Sequence, residues 1–333
     1  MVSGEHPFAQ YVRILGRGKT VGRSLTGDEA EAAMDMILAN QVRPEQLGAF
    51  LMLLRVKEET PEEVAGFVRS VRKTFNLPTD APSVDLDWSS YAGKRRQLPW
   101  FLLSTLVLAQ SGVKIFMHGA EGHTPGRLYT REALKMLGLP VAKDFKEAAN
   151  QIRSSNISYL PLAAVSTRMH EIIELRPILG LRSPVHTISR MLNPFNAQNV
   201  LQGIFHPGYN SIHQGAALQL GYSRMAVFRG EGGEIERRPS KPLDVWTVED
   251  GEMTVQNWPA LLSEPQQPTD KEMQIRRLVD VWKGDETDAY AIAAVTGTLA
   301  LALHLMGRVK DQAEAQTKAE ALWVARDREK LAA

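Results

Sequence analysis

Two hydrophobic rhythms divide the chain. From Thr26 to about Arg72, apolar residues recur every three or four positions, the period of amphipathic helices. Thr26 with Glu29 three residues on forms a capping box and predicts a helix over 26–40. Pro44 opens a second, PEQLGAFLMLLRVKEE, with Leu47, Phe50, Leu51 and Leu54 on one face. Thr60-Pro61-Glu62-Glu63 starts a third that carries Val64, Phe67, Val68 and Val71. Together they predict an N-terminal helical domain over residues 1–80, and the proline- and aspartate-rich PTDAPSVDLDWSS reads as its linker.

Further on the rhythm changes. Leu98–Ser111 reads as a buried helix stopped by Gly112, and VKIFMHG as a short buried strand. A helix over Thr130–Leu137 ends at Gly138. Strands are expected at Ser158–Ala164, Met225–Phe228 and Leu243–Val248. Helices are expected at Asn199–Leu220, Met273–Lys283, Tyr290–Met306 and Asp311–Glu329. Such alternation predicts an α/β domain over 81–333, a central sheet flanked by helices, with some later helices packing on the helical domain.

Composition narrows the function classes. At 333 residues, 44% hydrophobic and 23% charged, the chain has ordinary globular values and room for two domains. It has no cysteine, which excludes disulfides, thiolate zinc sites and a cysteine nucleophile. That usage suits a reducing compartment, and with no signal-like opening and apolar runs broken by Gln110, Lys114 and His304, a cytoplasmic protein with no membrane span is expected. A net charge of +1 does not by itself mark a nucleic-acid binder. The distribution says more: between Trp88 and Arg131 stand Lys94, Arg95, Arg96, Lys114, Arg127 and Arg131 against Glu121 alone. The stretch from Leu261 to Tyr290 leans acidic.

Most motif-like features dissolve on inspection. GRGKT at 16–20 ends like a P-loop, but Arg13 stands where that loop needs its first glycine. His118 and His123, or His206 and His213, are not spaced to share a metal on a helix, and no G-x-S-x-G turn is present, so no metal and no catalytic residue is assigned. HPGYNSIH at 206–213 is either a helix-initiating turn or a stacking loop using Tyr209 and His213. FRGEGGEIERRPSKP at 228–242 is either a charged hairpin or an anion contact at Gly230, Gly232 and Gly233. YAGKRRQ at 91–97 puts one glycine, Gly93, and three cations before an apolar helix, and so suits either a phosphate cradle or a clamp for a longer polyanion.

A family resemblance bears on that choice. LTGDEAEAAMDMILANQVRPEQLGAFLMLLRVKEETPEEVAGFVRSVR resembles the helical N-terminus of anthranilate phosphoribosyltransferases and their nucleoside phosphorylase relatives. GVKIFMHG resembles the strand leading to that family's Lys-His-Gly-Asn-Arg, and RPILGLRSPVHTISRMLNP its Arg-x-x-Leu-Gly-x-Arg segment. WKGDETDAYAIAAVTGTLALALHLMG resembles its C-terminal helices. The resemblance implies a small helical domain, a larger α/β domain and a homodimer formed through the helical part. An active member would use phosphoribosyl pyrophosphate and magnesium, with Gly93, His118, Gly119 and Arg176 at matching substrate positions.

The departures fall on that chemistry. The family's glycine-rich pyrophosphate loop is SSYAGKRRQ here, and Lys-His-Gly-Asn-Arg becomes Met117, His118, Gly119, Ala120 and Glu121. The metal-binding Asp-Glu pair is Ile235-Glu236 with Glu234 adjacent. Backbone amides suit one compact pyrophosphate, whereas long cationic side chains suit phosphates spread along a strand. The pattern is similar to a divergent branch, the YbiB-like proteins, which bind nucleic acid as dimers. The expected function is therefore largely sequence-independent binding of nucleic acid, DNA first and RNA as a further partner, with single strands preferred and no cofactor. Expected contacts are Lys94, Arg95, Arg96, His118, Arg127, Arg190, Tyr209, His213, Arg229, Arg237 and Arg238, with Tyr91 able to stack. The alternative is a phosphoribosyltransferase with an altered acceptor.

Overall fold

The structure, a computed structural model, describes residues 4–18, 21–263, 269–270 and 272–331. Lys19 and Thr20 of the GRGKT segment lie outside them. Four helices open the chain: α1 (Ala9–Gly16), α2 (Gly27–Leu38), α3 (Pro44–Lys57) and α4 (Pro61–Arg72). The capping boxes at Thr26/Glu29 and Thr60/Glu63 both form. Only α1 escapes the helical pattern, because its buried face is as short as Tyr11 and Leu15.

The α/β domain begins inside the expected linker. Strand β1 (Leu86–Ser90) is buried along its whole length. Leu86 and Trp88 join one core while Asp87 and Ser89 point to the other face, and those polar residues disguise a central strand. There follow α5 (Phe101–Gln110), β2 (Ile115–Gly119), α6 (Thr130–Met136), α7 (Phe145–Ser155) and β3 (Ile157–Pro161). Four short helices come next: α8 (Leu162–Val165), α9 (Thr167–Ile173), α10 (Arg176–Leu179) and α11 (Val185–Arg190).

The segment expected as one helix over 199–220 is instead β4 (Asn199–Ile204) followed by α12 (Asn210–Gln219). NVLQGI is extended because it pairs with strands on both sides, and Pro207-Gly208 sets the turn between the two. The chain continues as β5 (Arg224–Arg229), β6 (Leu243–Glu249), β7 (Glu252–Trp258), α13 (Arg277–Lys283), α14 (Ala289–Leu305) and α15 (Gln312–Ala325). Neither α7 nor β7 was expected from the pattern.

All strands form one sheet in the order β3-β2-β1-β4-β5-β6-β7. β3 to β5 run parallel, and β6 and β7 are antiparallel. One face packs on α5, α14 and α15; the other shares a continuous apolar cluster with the N-terminal helices and α7 to α11. Strand order reverses between β1 and β4, the place where open α/β sheets present a crevice beyond their carboxyl ends. The loops after β1, β2, β4 and β5 meet there. Among the described residues no helix is long and apolar enough to cross a membrane.

Candidate functional site

The loop after β1 turns at Gly93, whose φ of 68° lies in the left-handed region. The Ala92 and Gly93 amides both donate to Glu234 Oε1, at 2.7 and 2.6 Å, and the Ser90 hydroxyl donates to Glu234 Oε2 at 2.8 Å. Converging amides of this kind form an anion cradle. Here the anion is the chain's own carboxylate. Its loop, after β5, lies flat over the sheet end because Gly203 and Gly230 carry no side chain; a Cβ at either would fall on the Glu234 carbonyl. The close approach at Gly230 is thus to backbone, not to an outside anion.

Lys94 is buried, with Nζ 2.5 Å from Glu236 Oε1. The other oxygen, Oε2, accepts from the Phe101 amide at 3.0 Å, the first residue of α5. This corrects the expectation for Lys94, which is neutralised inside the protein rather than offered to solvent; the positive end of α5 is capped by Glu236 as well. Burial pushes the Glu236 carboxyl up to about 7, against the pull of Lys94 and the Phe101 amide. Arg95 and Arg96 are exposed and make no ion pair among the described residues. Arg127 spans the two loops, donating to the Ala92 and Gly93 carbonyls at 2.9 and 3.0 Å and reaching Gly232 at 3.5 Å.

Three more expected contacts are internal. His118 is fully buried on the face of β2 that carries Phe116, with Nδ1 2.7 Å from the Tyr91 hydroxyl and Nε2 3.2 Å from Asp87 Oδ1. Tyr91 is buried with it, so neither can stack on a base. Arg237 lies under the surface with its guanidinium 5.4 Å from the Trp258 ring and bonded to the Pro259 carbonyl. His213 is buried and hydrogen-bonded to Gln202 Oε1 at 2.6 Å. Burial, with Arg190 nearby, holds its pKa down at about 3. Gly119 is required by packing, since a Cβ there would fall on the Ser90 carbonyl.

The remaining cations divide between two places. Exposed Arg229 and Lys241 share a groove with Arg238, which pairs with Glu231 at 2.6 Å. Arg190 is buried, bonded to the carbonyls of His186 (2.8 Å) and Gly203 (3.3 Å), and lies 5.6 Å from the Tyr91 ring. Arg176 donates to the His123 carbonyl at 2.9 Å and to Thr124 Oγ1 at 2.5 Å. The acidic residues of the β5 loop do not fit a magnesium site. Glu234 has both oxygens engaged by the β1 loop, and Glu236 has both engaged by Lys94 and Phe101. No cluster of three metal-ligating side chains occurs among the described residues.

Between the helical and α/β domains lies a cleft of about 110 Å³. Arg55 and Glu59 line it from the α3–α4 junction, Arg182, Ser183, His186 and Arg190 from the α11 region, and Phe205, His206, Tyr209 and His213 from the β4–α12 turn. Arg55 donates to the Tyr209 hydroxyl at 3.1 Å. His123 lies beside this cleft, its ring 4.8 Å from that of His186, and burial holds its pKa at about 4. Burial and the surrounding arginines lower Arg182 to about 10. Sequence reasoning passed over Glu59, Ser183 and His186; the one signal available was a histidine inside the apolar VHTI turn.

Comparisons with known proteins fit this architecture. Residues 10–75 match the helical bundle domain of the glycosyl transferase family, and residues 101–325 match its a/b domain. The chain is 30% identical over 231 residues to anthranilate phosphoribosyltransferase of Beijerinckia indica subsp. indica, covering 69% of this chain and 67% of that protein. It is 26% identical over 312 residues to the Arthrobacter sp. protein of the same name, covering 89% and 87%. In three dimensions it resembles anthranilate phosphoribosyltransferase from Thermus thermophilus, with a TM-score of 0.78 at 19% identity over 96% of this chain and 95% of that one. The Saccharomyces cerevisiae enzyme in complex with PRPP and Mg gives 0.78 at 16% identity over 97% and 94%. With both domains matched in order along most of its length, the chain belongs to glycosyl transferase family 3, on the scaffold of the anthranilate phosphoribosyltransferases.

Proposed function

We propose that this member binds nucleic acid, mainly through its phosphates and with single strands preferred, along the loops at the carboxyl edge of the sheet. The observation that carries this reading is an inversion in the β1 loop. Its amides turn inward onto Glu234, while Arg95 and Arg96 turn outward without an ion-pair partner among the described residues. A compact pyrophosphate needs the amides; a strand of phosphates needs the side chains, each releasing counterions as it binds. Arg229 and Lys241 extend the basic edge on the neighbouring loop, and Phe205, 45% exposed, offers a ring for stacking. By the family resemblance, two copies pair through the helical domain and present two such edges.

Fluorescence anisotropy of a labelled 30-base single strand tests this. Affinity falls roughly 10³-fold between about 50 and 200 mM salt if many phosphates are held. Arg95→Glu with Arg96→Glu weakens binding about 100-fold and lowers the salt slope by roughly 1.4, two single-strand contacts' worth. No binding at low salt overturns the proposal. A second reading, transfer of a phosphoribosyl group, is favoured by Arg182, which lines the cleft, and by Arg176, the residue at the family's substrate position, which bonds the same Thr124 hydroxyl. On that reading millimolar phosphoribosyl pyrophosphate with magnesium raises the melting temperature, as a ligand of the native state must.

A further inference from the structure

Three polar atoms around the interdomain cleft have no hydrogen-bond partner among the described residues: Glu59 Oε2, Ser183 Oγ and His186 Nε2. Their residues are 3%, 7% and 8% exposed. A buried polar group left unpaired forfeits the hydration it had in water, so three around one small cleft mark a place where an outside molecule completes the bonding.

The groups behind these atoms fix what that molecule must offer. His186 Nδ1 lies 3.3 Å from the Ser183 carbonyl and donates to it, which leaves Nε2 with a free lone pair. Burial, with His123, Arg190 and Arg182 beside it, keeps the ring neutral. Glu59 Oε2 adds a second acceptor; burial raises the carboxyl, partly offset by hydrogen bonds from Thr187 and its own amide. The Ser183 hydroxyl serves either way. The complement is therefore an N–H donor. Arg182 and Arg190 repel a cationic amine, so the donor is uncharged. Tyr209, His206 and Phe205 supply ring faces, and about 110 Å³ leaves room for one ring at most, too little for a bicyclic purine.

We propose that the cleft receives one unstacked nucleobase bearing an exocyclic amino group, cytosine before thymine or uracil, from a strand held on the basic loops; this rests on the nucleic-acid reading above. Its amino group bonds His186 Nε2 and Glu59 Oε2, which a keto oxygen at the same position would leave unpaired or repel. The strand is then held by its phosphates with one base checked. Drawing a base out of a single strand costs little compared with a duplex.

The experiment compares oligo-dC and oligo-dT of equal length at pH 7.5, alongside melting-temperature shifts with free cytosine and free thymine. The expected result is at least a tenfold preference for dC and a stabilising shift with cytosine alone. His186→Phe brings the dC:dT ratio toward one. Glu59→Gln, which replaces an acceptor oxygen by an NH2 donor, moves it toward dT and supplies the answer should the first variant not fold. Equal dC and dT binding with no cytosine shift overturns the base pocket while leaving the nucleic-acid reading intact. A cytosine shift without oligonucleotide binding overturns the strand reading, and with it the claim that the base arrives on a strand. Neither signal overturns both.

Discussion

Carboxylates hold backbone amides in two regions of this molecule, and they do so by opposite routes. In the helical domain Glu29 bonds the Thr26 amide and Glu63 the Thr60 amide, each three residues back. At the sheet edge Glu234 reaches Ala92 and Gly93, and Glu236 reaches Phe101, across 142, 141 and 135 positions. The local pairs start helices and form with the helix itself. The distant pairs can form only after strands β1, β4 and β5 are in register, so they belong to the finished fold. The same chemistry makes an element in one place and occupies an anion cradle in the other.

Three experiments sharpen that contrast, the largest effect first. Glu236→Leu strands the Lys94 ammonium and the Phe101 amide in a dry interior, and a urea melt is expected to show a loss of about 3–5 kcal/mol, the usual cost of breaking a buried pair from one side. A loss below about 1 kcal/mol would mean the edge is held no more firmly than a surface cap. Acid separates the regions next. His123 and His213 have folded pKa values of about 4 and 3, below the unfolded value of about 6.5. The unfolded chain binds their protons first, so the stability they carry is complete above pH 6.5 and drains as pH falls toward those values. At pH 5 the expected loss is about 2 kcal/mol for each. Glu29, held at about 2 chiefly by its hydrogen bond to Arg23, keeps its contribution above pH 4.5 and loses it only as pH falls toward 2. Chemical melts at pH 7, 5 and 3.5 resolve the two steps when run on Glu236→Gln, which removes the opposite gain from a carboxyl raised to about 7; a flat profile from 7 to 5 in that variant would contradict the buried, neutral histidines. The smallest effect is Thr60→Ala, about 1 kcal/mol for a lost cap, measured the same way.

The same distinction decides what could be read in advance. Helices α2, α3 and α4 were legible because caps and periodicity lie within a few residues of what they control. The helix after the basic loop and the strand VKIFMHG were legible for the same reason. Adjacent Lys94 and Arg95 look equivalent in the chain, yet one points into the protein and the other out. The difference is made by Glu236, 142 positions away. Strand β1 was hidden by Asp87 and Ser89, polar residues that face an interior where His118 bonds to one of them. Arg237 misled in the same way, because an arginine lodged against Trp258 carries no mark of burial in its own segment. The cleft was the least legible, since its unpaired atoms come from Glu59 in one domain and from Ser183 and His186 in the other, brought together only by domain packing.

Gly203 and Gly230 give the Glu234 loop its seat. One methyl group at either position would act as a wedge under that loop, lifting the carboxylate from the Ala92 and Gly93 amides and baring them. Whether the amides of the β1 loop are filled or bare is thus governed from beneath, by two backbone positions that never touch the carboxylate itself.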